Sequence, residues 1–251
     1  MEQTKLYKNE HIEYLKPNFG LVVSPAHTFG TDAVLLAHFA APKKNTLACD
    51  MGTGCGIIPM LWCRDGLCRR VDGVEIQDAG YGQFARSIAA NGLEEKAFAH
   101  LADLKALDSV LPREKYDLVT MNPPYKAAHT GILSDSAHEQ IARHETACTL
   151  AEISAAAGRL LKYGGRFCLC IRPERLFETM QAMANAKIEP KKMRLVSKNP
   201  HSAPWLCLLE GRKGGRHGLQ VLNGLYVYDE NGDLSDEMRR IYGAYKEEGQ
   251  R

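Results

Sequence analysis

From about residue 46 the chain alternates short apolar runs with helix-like segments, the pattern of βαβ units stacked into a largely parallel sheet. The spacing predicts strands at Thr46–Asp50, Val71–Glu75, Ala97–Leu101, Tyr116–Met121 and Arg166–Ile171. Helices are expected over Gly56–Arg64 and Gln77–Asn91, the latter closed by Asn91-Gly92, with a short one at Leu104–Val110. An Ala-rich helix is expected over Glu145–Lys162, stopped by Gly164-Gly165, and another over Glu174–Ala186. Strands at Lys192–Val196 and Trp205–Glu210 flank Asn199-Pro200-His201, which reads as the turn of a hairpin on the sheet edge. The expected class is α/β: a doubly wound, Rossmann-like sheet, mostly parallel with an antiparallel last strand. Residues 1–45 carry a hairpin around Phe19–Val23 and a helix at Asp32–Phe39, and read as an N-terminal extension packing on the ligand site of a domain spanning 46–251.

At 251 residues the chain suits one well-buried domain, and 45% hydrophobic with 25% charged residues is ordinary for a soluble globular protein. No stretch reaches the roughly 20 apolar residues of a membrane span, and the first residues, MEQTKLYKNE, lack a signal-like core. A cytoplasmic protein with no membrane partner is expected. The eight cysteines fall mostly within apolar segments, and neither Cys63 with Cys68 nor Cys168 with Cys170 has zinc-site spacing. They read as free buried thiols, with no metal. The net charge is only +2, yet Lys187, Lys191, Lys192, Arg194, Lys198, Arg212, Lys213 and Arg216 crowd one segment, a candidate phosphate-facing edge. Composition says nothing about oligomeric state.

Asp50-Met51-Gly52-Thr53-Gly54-Cys55-Gly56 sits where a strand hands over to a helix, so glycines let the backbone turn sharply beside a ligand. Glu75, with Ile76 after it, ends the next strand, where a carboxylate can bridge ribose hydroxyls. A dinucleotide would satisfy both features. Asp103, followed by Leu104, is placed to accept from an adenine amine, and Asp50 would repel a pyrophosphate but not a sulfonium and ammonium ligand. S-adenosylmethionine is therefore the expected cofactor.

The fourth strand ends at Asn122-Pro123-Pro124-Tyr125, because two prolines cannot continue a central ladder. An amide or exocyclic amine nitrogen is a poor nucleophile while its lone pair is delocalised. The Asn122 side-chain oxygen and the Pro123 carbonyl can hold its two N–H groups and draw it toward tetrahedral geometry. Pro123 and Pro124 stiffen the turn, and Tyr125 offers a face on which a planar target stacks. His129, His138 and His144 follow in a polar stretch whose spacing matches no common metal motif.

These segments, with FGTDAVLLAHFA (29–40), ARHE (142–145), LLKYGGRFCLCIRPERL (160–176) and EPKKMRLV (189–196), resemble the bacterial tRNA1(Val) adenine-37 N6-methyltransferases. That family belongs to the class I methyltransferases with a small methyltransferase domain, whose last strand is antiparallel. The resemblance implies that Asp50, Gly52, Gly54, Glu75 and Asp103 hold the cofactor, that Thr31 and Asp32 close over its methionine end, and that Asn122 and Tyr125 seat an adenine. It also implies an RNA partner, tRNA foremost. Gly80 and Gly82 depart from the pattern by interrupting a helix, at about 1 kcal/mol each. A release-factor glutamine methyltransferase also uses such a turn, but that family places a helical domain before the glycine loop. A nonenzymatic RNA-binding module with a vestigial pocket is opposed by the intact Asp50, glycines, Glu75 and Asn122.

Overall fold

The computed structural model describes residues 4–123 and 148–243. The apolar runs become strands β3 (Leu47–Met51), β4 (Arg70–Glu75), β5 (Ala97–Leu101), β6 (Tyr116–Met121) and β7 (Leu161–Ile171), all parallel, in the order β5-β4-β3-β6-β7. Strand order reverses between β3 and β6, and ligands of doubly wound sheets bind in the crevice beyond the carboxyl ends at such a point. Before β3 lie the hairpin β1 (His11–Lys16) and β2 (Phe19–Val23) and helix α1 (Thr31–Ala40). Helices α2 (Ile57–Arg64) and α3 (Asp78–Ala90) follow β3 and β4.

Helix α4 (Leu150–Leu160) precedes β7, and α5 (Leu176–Asn185) follows it. The Thr149 hydroxyl accepts from Glu152 N–H while the Glu152 carboxylate accepts from Thr149 N–H, and this reciprocal cap starts α4 at Leu150, later than the sequence suggested. Its end differs too. Leu161 turns extended (φ −69°, ψ 135°), and β7 begins at once and runs through Gly164-Gly165. Those glycines serve the strand: a Cβ on Gly165 would lie 2.9 Å from the Tyr116 carbonyl of neighbouring β6.

Strand β9 (Pro204–Lys213) inserts antiparallel between β7 and β8 (Ile188–Ser197), giving the expected antiparallel last strand of the hairpin. The hairpin is not the sheet edge, however. Two-residue strands β10 (Gln220–Val221) and β11 (Leu225–Tyr226) add to the outer side of β8, and helix α6 (Asp236–Tyr242) follows. Elements this short leave no periodicity to read.

Alternation along each strand divides the core between the two faces. Phe167, Leu169 and Ile171 of β7 join α4 and α5 on one face; Cys168 and Cys170 face α1, α2 and α3 on the other. Leu15, Leu21 and Val23 of the hairpin share that second core, and Val22 N–H donates to the Ser87 hydroxyl at 2.9 Å. The hairpin thus sits on α3. Helix α1 packs on α2, where the buried Trp62 indole donates to the Ala37 carbonyl at 3.0 Å.

Candidate active site

Register builds the site. Met51, the last residue of β3, pairs with Val74 of β4 and with Met121 of β6, so Gly52 and Asn122 leave the sheet side by side. Gly52, Gly54 and Gly56 all take positive φ (64°, 57° and 87°), conformations that disfavour side chains. At Gly56 a Cβ would also fall 2.0 Å from the buried Phe84 ring.

The loop is fastened to β4 through Glu75. One carboxylate oxygen accepts from Gly54 N–H at 2.8 Å; the other accepts from Ile76 and Gln77 N–H, each at 2.9 Å. Three backbone donors fix the carboxylate at 7% exposure, and the oxygen facing Gly54 keeps a lone pair for a hydroxyl.

Beyond these strand ends opens a cavity of about 330 Å³ lined by Gly52, Gly54, Glu75, Ile76, Asp103, Leu104 and Asn122, all expected from the sequence. His27, Gln77, Ala102, Cys148 and Ile153 line it as well. Ala102 directly follows a predicted strand and Gln77 opens the predicted helix after one, so both were within reach of that rule. His27, Cys148 and Ile153 arrive from distant segments, and nothing local marks them. One oxygen of Asp103 accepts from Lys105 N–H at 2.8 Å, which orients the side chain at the cavity wall.

Asp50 does not line this cavity. Its carboxylate is 1% exposed and accepts from the Thr53 and Thr120 hydroxyls, both at 2.7 Å, tying the loop and β6 to β3. Burial lifts its pKa to about 7 against the pull of the two threonine hydrogen bonds. Its carboxylate, expected from the sequence to face the ligand, braces the loop from beneath instead of lining the cavity. Nor do Thr31 and Asp32 line the cavity: they open on a separate cleft with Lys198, Trp205, Val227 and Tyr228. The Thr31 hydroxyl lies 2.9 Å from that of Tyr242.

Asn122 is half-buried and Pro123 buried at the end of β6. The Cys170 thiol, on neighbouring β7, donates to the Asn122 side-chain oxygen at 3.0 Å and sets the plane of the amide. Pro124, Tyr125, His129, His138 and His144 lie outside the described residues. Much of the cationic segment is internally paired. Arg194 meets Glu237 with both carboxylate oxygens at 2.7 and 2.8 Å, Lys213 meets Glu114 at 2.9 Å, and Lys192 meets Glu210 at 3.6 Å. All eight cysteines are free. Among the described residues, no cluster of three or more His, Cys, Asp or Glu side chains could hold a metal, and no helix is long and apolar enough to cross a membrane.

Residues 26–187 match the model of the methyltransferase small domain. A tRNA1(Val) (adenine(37)-N6)-methyltransferase of Dickeya chrysanthemi is 31% identical over 219 residues, covering 86% of this chain and 84% of the relative. The chain belongs to this methyltransferase family. The same-named protein of Porphyromonas gingivalis is 26% identical over 189 residues, 73% of each chain. In fold, a predicted O-methyltransferase of Agrobacterium tumefaciens aligns with a TM-score of 0.70 at 18% identity, covering 86% of this chain and 97% of that one. This member of the family is an S-adenosylmethionine-dependent N-methyltransferase. The cavity fits the cofactor on its own chemistry. Glu75 presents a fixed acceptor for hydroxyls, Asp103 an acceptor for an amine, and the positive-φ glycines a backbone with no side chain in the way. In this methyltransferase, Asn122 borders the same space.

Proposed function

We propose that this methyltransferase modifies the N6 amine of an adenine in tRNA, at the position its relatives' names give as adenine 37 of tRNA1(Val). The single observation that carries the reading is the register of β3, β4 and β6, which brings the glycine loop, Glu75 and Asn122 to the rim of one cavity. S-adenosylmethionine supplies an electrophilic methyl group. Gly52 and Gly54 give it backbone room, Glu75 takes its ribose hydroxyls, and Asp103 takes its adenine amine. Ile76 and Leu104 supply apolar walls on either side.

Asn122 accepts one N–H of the target amine through its side-chain oxygen, and the Pro123 carbonyl accepts the other. Held by two acceptors, the nitrogen is drawn toward tetrahedral geometry, and its lone pair is freed for attack. No strong base is needed beforehand, since the aminium formed loses its proton readily. Cys170 assists by holding the Asn122 amide in one orientation.

The test pairs identity with mechanism. Purified protein is incubated with labelled S-adenosylmethionine and separate pools of tRNA, ribosomal RNA and protein, and the labelled product is digested and identified. N6-methyladenosine from tRNA is expected; label on a protein glutamine, or none on RNA, refutes the reading. Asn122→Ala should cut single-turnover rates on the same substrate by about two orders of magnitude with cofactor affinity near wild type. An undiminished rate would reduce Asn122-Pro123 to a strand terminator.

A further inference from the structure

The cleft holding Thr31 and Asp32 has a volume of about 400 Å³, comparable to the cavity given to the cofactor, and none of its residues is used in the mechanism above. It stands one strand away from Asn122. The Cys170 thiol touches the Asn122 side chain, β7 ends at Ile171, and the next residue, Arg172, donates to the Trp205 carbonyl at 3.0 Å. Trp205 is a wall of the cleft. The Arg172 guanidinium also lies 5.3 Å from the centre of the Trp205 ring, setting a cation beside it.

The opposite wall is built by the chain after β11. Val227 N–H donates to the Ser197 carbonyl at 3.1 Å and Tyr228 N–H to the Lys198 carbonyl at 2.8 Å, so the Tyr228 and Lys198 backbones are fixed together. Tyr228 is 37% exposed, so its ring is held on a fixed backbone with part of its face open to the cleft. Lys198 forms no ion pair among the described residues, in contrast to Lys192, Arg194 and Lys213 of the same segment. Asp32, in the first turn of α1, likewise has no side-chain hydrogen bond among the described residues. The cleft therefore presents two aromatic rings and, among the described residues, a cation without an ion-pair partner and an acceptor without a donor.

We propose that this cleft binds one unpaired nucleotide of the RNA, adjacent to the methylated one. The inference rests on RNA being the substrate. The base stacks against Tyr228 and Trp205, Lys198 meets a phosphate, and Asp32 accepts from a base edge that bears an amino group. Stacking on fixed aromatic faces is how single-stranded nucleic acid is held, and every base offers a π face. The acidic Asp32 disfavours a phosphate at its own end, which orients the nucleotide with its phosphate toward Lys198.

The test uses the full chain saturated with S-adenosylhomocysteine. A fluorescent RNA hairpin carrying the target adenine in its loop is titrated, along with versions in which the nucleotide on either side of the target is abasic. Wild type should lose about tenfold in affinity for one abasic hairpin and little for the other. Tyr228→Ala should lose about tenfold on the intact hairpin and almost nothing more on the abasic one, because the two losses are the same contact. Lys198→Ala, an exposed change that leaves the core alone, should flatten the salt dependence by about one unit. Cofactor affinity should hold in both variants. If both variants bind every hairpin as wild type does while wild type methylates the intact one, the cleft is not a nucleotide site. If wild type methylates no RNA but does methylate a protein amide, the RNA substrate itself is refuted, and this site with it.

Discussion

Because three backbone N–H groups converge on the Glu75 carboxylate, replacing it removes a loop fastener as well as the ribose contact proposed for it. Glu75→Ala should weaken S-adenosylmethionine binding by about 1 to 3 kcal/mol in calorimetry and also lower the melting temperature. Glu75→Gln, which keeps one oxygen acceptor, should fall between on both readouts; unchanged affinity in the alanine variant would remove Glu75 from the cofactor site. Asp50 behaves differently, since its pKa near 7 lies above the ordinary carboxylate value of 3.8. The folded protein keeps that proton where the unfolded chain has lost it, so Asp50 costs stability progressively as pH rises from about 4 to about 7. Asp50→Asn can still bond both threonines, accepting from one hydroxyl and donating to the other, without the buried charge. Relative to wild type, it should gain on the order of 1 to 4 kcal/mol between pH 4 and pH 8. Denaturant midpoints at the two pH values check this, and a stability difference that ignores pH would contradict it.

At the scale of elements, the two glycines that interrupt α3 have different causes. A Cβ on Gly80 would lie 3.2 Å from Glu75 Cγ and 3.3 Å from the Gly54 carbonyl, so its bareness lets the first turn of α3 press against the glycine loop. At Gly82 the nearest contact is the flexible Arg86 guanidinium at 3.3 Å, and no backbone approaches. Gly82→Ala should therefore stabilise the protein by about 0.5 to 1 kcal/mol, while Gly80→Ala should give no such gain and should weaken cofactor binding. Thermal melts with and without cofactor separate the two, and equal gains from both would dismiss the packing argument. The α4 start was legible as well: Thr149-x-x-Glu152 is a capping signature in the sequence, outweighed by the Ala-rich character of the wider segment. The Gly164-Gly165 pair was misleading because glycine both stops helices and relieves crowded strands, and only the approach of Tyr116 tells which.

Over the whole molecule, the cationic segment serves assembly as much as any partner. Arg194 on β8 grips Glu237 on α6 and donates to the Asn223 carbonyl at 2.9 Å, while Met238, Ile241 and Tyr242 of α6 fill the core beside α1. Arg194→Ala should cost about 1 to 2 kcal/mol in denaturant unfolding, chiefly by loosening α6, and leave the salt dependence of RNA binding close to wild type. A flattened salt slope with unchanged stability would return Arg194 to the phosphate-facing role its sequence neighbourhood suggests.

The sequence by itself determined the strand and helix order from β3 to β9, because hydrophobic period and glycine or proline punctuation act within a few residues. It also marked the glycine loop, Glu75, Asp103 and Asn122 as residues that line one cavity, since each stands at or just beyond a strand end where doubly wound sheets open their crevice. Only the tertiary structure decided that Asp50 turns inward to two threonines, that Thr31 and Asp32 open on a second cleft, and that His27, Cys148 and Ile153 complete the first. It alone decided that β10, β11 and α6 close the sheet beyond β8. The physical reason is range: a turn or a strand end is set by its neighbours in the chain, whereas the direction a side chain faces depends on partners 70 residues away, as Thr120 is from Asp50.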